Sequence, residues 1–286
     1  MQFKKNRALS FVIVSLVYIG ATAVGILVYR ALPYSFWLNL LIADVAATIF
    51  TFLFSLIFSN ASVYDPYWSV QPPVILIAFA VGKDVTLAGW LLIVAVCIWA
   101  IRLTANWAYT FLSLEHQDWR YTMLKEKTGL FYPIINFLGI HLVPTLVVYA
   151  CTLPAVFVLE QAPSANIGSY LFFFLSIGAA ALQCAADIQM HRFRKRDRQT
   201  RPKFIEEGLW KYSRHPNYLG EILMWWGVGL ATVCVMPDKF YLLSGALLNT
   251  LLFVCVSLPM AEKRQAQKEG FAEYKARTRL LFPIKK

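Results

Sequence analysis

Apolar stretches near residues 9–29, 36–59, 70–82, 86–112, 131–158, 168–190, 218–236 and 240–259 alternate with short polar breaks along the chain. All but one reach or approach the roughly 20 residues that a helix needs to cross a hydrocarbon core. The exception, 70–82, opens on Pro72 and Pro73 and reads either as a thin crossing or as a re-entrant piece. No stretch shows the period-two alternation of a half-buried strand. The pattern predicts an all-α, polytopic transmembrane helical bundle of about seven to eight helices, a single domain over 1–286 with no linker inside it.

Composition agrees. Of 286 residues, 58% are hydrophobic and only 15% charged, where a soluble domain carries charge on about a quarter of its residues. Residues Met1–Arg7 are polar and basic, and the apolar run behind them is long enough to span, so it reads as a retained first helix. Few small-xxx-small repeats occur, and no internal duplication stands out. The cysteines form no CxxC pair, and the four histidines form no metal-binding box.

The net charge of +11 is unevenly placed. Between His191 and Arg214 lie nine Lys/Arg against three acids, and from Met260 to Lys286 eight against three, while the breaks near 31–35, 83–84, 160–167 and 237–239 hold few charges. With eight crossings all basic segments fall on one side. That is the positive-inside distribution, which puts both termini in the cytoplasm and fits a bacterial inner membrane. The charge is then topological. A nucleic-acid role would need an aromatic-interleaved soluble module, which is missing.

Polar groups gather where later apolar stretches meet those basic segments. Arg102 and Asn106 lie four apart, on one helix face. Gln183, Asp187 and His191 repeat every four residues, with Arg194 beyond on the same face. An ionisable residue inside an apolar run, such as Asp187 or Asp44, is costly unless paired or facing a cavity. Glu115, Asp118, Arg120 and Tyr121 occupy the loop after the Arg102 stretch.

In "SRHPNYLGEILMWWG", Arg214, Tyr218 and Glu221 share a face, and Pro216 suits a helix's first turn. That turn's free N–H groups, with Arg214 and His215, would receive a phosphate or carboxylate. Glu221 could orient an arginine or accept from a ribose hydroxyl. Glu262 and Tyr274 follow in the basic tail. "SVYDPYWSV" places Tyr64, Asp65, Tyr67 and Trp68 at an aromatic, acid-bearing corner. The cationic groups with carboxylates among them suggest a phosphorylated cofactor, yet the chain has no GxGxxG or P-loop.

These motifs carry a resemblance. "YDPYW", "RLTANW" with "DWRY", "AADIQMHRFR", "GLWKYSRHPNYLGEILMWWG" and "GFAEYKARTRLLFP" resemble the DUF1295 family of the steroid 5-alpha-reductase-like superfamily, over most of the chain. The resemblance implies reduction of a carbon–carbon double bond by NADPH, in a steroid-like or other hydrophobic lipid substrate within the membrane. It places the cofactor-binding residues at Asp187, Arg194, Lys195, Arg214, His215, Asn217, Tyr218, Glu221 and Glu262, with Arg102, Asn106, Asp118, Arg120 and Tyr121 as the other wall. Steroid 5-alpha-reductases set a Gln–Glu pair from an early helix against the substrate carbonyl. The 36–59 run has no such dipeptide, so the expected acid is Asp65 with Tyr64 or Tyr67, and Tyr218 is the third candidate. The alternative is an isoprenylcysteine carboxyl methyltransferase-like enzyme, which shares an "RHP.Y.G" string and would bind S-adenosylmethionine and methylate a lipidic acceptor.

Overall fold

A computed structural model describes residues 2–284. Among the described residues, seven helices are long and apolar enough to cross a membrane: α1 (Arg7–Ala31), α2 (Phe36–Ile57), α4 (Leu87–Thr110), α5 (Trp119–Gln161), α6 (Ile167–Arg194), α7 (Pro216–Val235) and α8 (Pro237–Gln265). Between α2 and α4 lies α3 (Tyr67–Ala80), which at 14 residues is shorter than a span; a short helix α9 (Phe271–Arg277) closes the chain. The protein is an all-α, multi-pass membrane bundle.

Local chemistry sets the helix boundaries. The Asn6 side chain caps α1 by accepting from Leu9 N at 3.0 Å, and Asp118 caps α5 from Arg120 N at 2.9 Å. Asn166 and Ser169 form a reciprocal capping box at the start of α6. Pro216 opens α7 at a position where its missing N–H costs nothing. In α5 the α-helix relaxes into a π turn over Asn136–Leu142, a distortion that is common near functional sites.

The most extensive helix contact is α6 on α7. A Cβ on Gly220 would come within 2.7 Å of Ala179 O, and one on Gly227 within 3.0 Å of Phe172 O. Only glycine lets the two backbones meet there, which is how helices associate without a hydrophobic driving force between them. The two glycines lie seven apart, a spacing that a count of small-xxx-small repeats passes over. Trp68, Trp99 and Trp225 fill the centre edge to face, at centroid distances of 6.1 and 4.8 Å.

The basic segments share one end of the bundle. Lys4 Nζ donates to Phe58 O, Arg7 to Ala108 O at 2.8 Å, and the 203–206 loop pairs with the tail through Lys203–Glu269 and Arg277–Glu206. At the opposite end are the short breaks after α1, α3 and α5, joined by the Lys83–Glu160 pair.

Candidate functional site

Two cavities border the residues singled out in the sequence. A polar one of about 660 Å³ opens at the basic end between α4, the α4–α5 loop, α6, α7 and α8. An apolar one of about 500 Å³ lies between α1, α2 and α3.

The two polar stripes anticipated on α4 and α6 face each other. Arg102 donates to Asp187 Oδ2 at 2.7 Å and to Gln183 Oε1, and one turn on His191 Nε2 meets Asn106 Oδ1 at 2.7 Å. Arg102 turns inward rather than reaching out to the membrane surface. It also lies 3.6 Å from Glu221 Oε2. Glu221, only 3% exposed, accepts from the indoles of Trp99 at 2.8 Å and Trp225 at 3.0 Å. A buried carboxylate thus has one guanidinium and two N–H donors, the satisfaction such a group requires.

At the α7 entrance Arg214 and His215 are already engaged. Glu262 accepts from Arg214 Nη2 at 2.9 Å and Nε at 3.0 Å, and from His215 Nε2 at 2.8 Å. His215 stacks on Tyr218 with ring centroids 5.2 Å apart. These residues form a rigid floor rather than free anion receptors. Asn217 Oδ1 and Gln265 Oε1, both in the cavity lining, are buried acceptors without a partner among the described residues.

The free positive charge of the cavity lies elsewhere. Arg194, Arg201, Arg264 and Lys268 line it, and among the described residues none has a carboxylate within ion-pair distance. Burial lowers the pKa of the Lys268 ammonium, and repulsion from Arg264, Arg194 and Arg201 lowers it further. Arg264 lies over the Trp119 ring at 4.1 Å. Like charges held together without a counter-charge suit a multiply charged anion.

The corner from Tyr64 to Tyr67 stands between the cavities. Asp65 lines the polar one and accepts from Tyr121 at 2.6 Å. Burial pushes its carboxyl up to about 6, against the pull of the Arg120 guanidinium and the Tyr121 hydrogen bond. Two residues on, Tyr67 lines the apolar cavity and donates to Asp44 Oδ1 at 3.2 Å, while Gln71 donates to Asp44 Oδ2. The carboxylate of Asp44, puzzling in an apolar run, is the polar group at one end of that cavity. Tyr64 is 2% exposed and lines neither; its hydroxyl meets Thr145 Oγ1 at 2.8 Å, which meets Thr48 Oγ1 at 3.0 Å.

The polar cavity therefore gathers Asn106, Asp118, Asp187, Arg194, Arg214, His215, Asn217, Tyr218 and Glu262, together with Asp65. Arg102 and Glu221 stand behind its wall, and Arg120 pairs with Asp118 at 2.8 Å. Tyr121 reaches it through Asp65, and Lys195 lies over the Tyr109 ring at 5.5 Å. Sequence reasoning passed over Arg201, Arg264 and Lys268, because each sits in a basic segment that topology alone explains. It also passed over Gln71 and Gln265, whose neutral side chains give no signal of cost.

No curated protein and no solved structure was found to match the chain. The family described as "Protein of unknown function (DUF1295)" matches residues 51–278, a range that holds both sides of the polar cavity and the Tyr64–Tyr67 corner. The chain belongs to the DUF1295 family.

Proposed function

We propose that the protein is a membrane-embedded, NADPH-dependent reductase of the steroid 5-alpha-reductase-like kind. It reduces a double bond conjugated to a carbonyl in a hydrophobic lipid substrate. The observation that carries this reading is the Tyr64–Tyr67 corner: Asp65 borders a cationic, water-accessible cavity and Tyr67, two residues later, an apolar one. A charged cofactor and a lipid can be bound from different solvents and still meet across one turn of chain.

The polar cavity's donor set fits NADPH. Arg194, Arg201, Arg264 and Lys268 would hold its phosphates, and the unpartnered acceptors Asn217 Oδ1 and Gln265 Oε1 would take ribose or carboxamide N–H and O–H groups. When bound, the cofactor supplies a hydride equivalent. A cluster of uncompensated cations disfavours S-adenosylmethionine, whose sulfonium is itself positive, so the methyl-transfer reading is the weaker one. With the basic end cytoplasmic, the cavity would open to the NADPH pool.

In the apolar cavity Tyr67 is the best-placed proton donor. Its phenol is oriented by Asp44 and can turn to a substrate carbonyl, where negative charge develops. Asp44 is held in turn by Gln71. Asp65 gates proton supply at the corner, and the Tyr64–Thr145–Thr48 hydroxyl chain fixes the backbone that carries Tyr67. The bundle keeps water from the reacting carbons.

The test is NADPH consumption with a panel of hydrophobic enones. Turnover by the native protein, lowered at least about a hundred-fold in Tyr67→Phe with NADPH binding retained, supports the assignment. Full activity of Tyr67→Phe would remove Tyr67 from the mechanism.

A further inference from the structure

The apolar cavity has an unmet need at each end. At its deep end Gln71 is 7% exposed, and its Nε2 is committed to Asp44 Oδ2. Its Oε1 is buried and has no partner among the described residues. With the amide N–H on Asp44, the group left over is an acceptor. Asp44 accepts already from two donors. What this end lacks is therefore a donor from outside the chain, and a buried unpaired acceptor is costly until one arrives.

The other end is polar too. Arg30, Lys83 and Glu160 border it. Lys83 is taken by Glu160 and lies over the Phe79 ring, whereas Arg30 has no carboxylate within ion-pair distance among the described residues. Between the ends the walls are Ala21, Gly25, Leu40, Ala43, Val74 and Ile75. On α1 the cavity runs from Tyr18 to Arg30, twelve residues or about 18 Å of helix. The cavity is therefore long, apolar along its length and polar at both tips. Its α1 wall packs along α2 and meets α3 through the Tyr18–Tyr67 and Tyr29–Phe79 ring contacts, one near each end.

We propose that the apolar cavity binds an elongated amphiphile with an acidic group at one end and a hydroxyl at the other. The molecule enters from the lipid between α1 and α3. Its acidic end stays at the membrane surface on Arg30, and its hydroxyl donates to Gln71 Oε1 beside Asp44. This rests on the reductase reading only in taking the apolar cavity as the substrate's; it adds the substrate's two polar ends and makes Gln71 and Arg30 the residues that select it.

Binding of a long-chain ω-hydroxy fatty acid, and of the same acid with its hydroxyl methylated, tests this by calorimetry on the full chain in mild detergent. The native protein should prefer the hydroxy acid by about ten-fold or more. In Gln71→Leu that preference should vanish, and Arg30→Gln should weaken both ligands alike. Gly25→Phe should abolish binding of both, because Gly25 lines the cavity and a Cβ there meets Ala43 O and Ala47 Cβ at ordinary distances of 3.7 and 3.8 Å. Equal binding of the two acids to native protein, a preference that survives Gln71→Leu, or undiminished binding to Gly25→Phe would each overturn the proposal. None of these readouts involves a nucleotide. NADPH titrated into the same samples keeps a failure of this inference separate from a failure of the reductase reading.

Discussion

Arg102 on α4 and Asp187 on α6 meet at 2.7 Å inside the bundle, with side chains only 11% and 13% exposed. The same guanidinium serves Gln183 and stands 3.6 Å from Glu221. One cation therefore compensates two carboxylates on two helices.

The two sides of that contact are unequal. Arg102→Ala leaves Asp187 and Glu221 buried without a counter-charge and should cost about 3–5 kcal/mol. Asp187→Ala leaves Arg102 with Glu221 and Gln183 and should cost clearly less. Thermal unfolding in detergent orders the two variants; an equal or reversed order would contradict the shared-cation account.

Gly227→Val should cost about 1–3 kcal/mol by forcing α6 and α7 apart, since a Cβ there lies 3.0 Å from Phe172 O. Gly178→Ala, where a Cβ meets nothing within 4 Å, is the control and should leave the melting temperature nearly unchanged.

Asp65 predicts a pH dependence. Its carboxyl titrates near 3.8 when unfolded and at about 6 in the fold, so between these values the folded state binds the extra proton. Its contribution to stability is present below about pH 4 and is lost as pH rises through about 6. Asp65→Asn should flatten that part of the stability–pH curve. An unchanged slope would place the titration on another group.

Much of this was legible in the chain. Hydropathy alone gives the seven long helices, because a membrane leaves helices as the economical way to satisfy backbone groups. The i, i+4 stripes Arg102/Asn106 and Asp187/His191 could be read as faces, and they do face each other. What could not be read was pairing across helices. Nothing local says that Glu262, near the end of α8, would take up Arg214 and His215, so the residues that looked like anion receptors proved to be engaged. Arg264 and Lys268 looked like topological charge because a basic flank and an anion site share one composition; only their convergence without an ion-pair partner among the described residues separates the two. Asp44 was conspicuous, but Gln71 was silent, since an amide becomes informative only when one of its atoms is buried unpaired.

The central claim is that the cationic cavity holds a phosphorylated nucleotide. Calorimetric titration of the native protein and of Arg264→Ala/Lys268→Ala with NADPH, NADH and S-adenosylmethionine tests it most directly. NADPH should bind, its affinity should fall with salt, and the double variant should lose at least about ten-fold of it. Binding of S-adenosylmethionine alone, or NADPH binding that ignores both the salt and the substitutions, would contradict it.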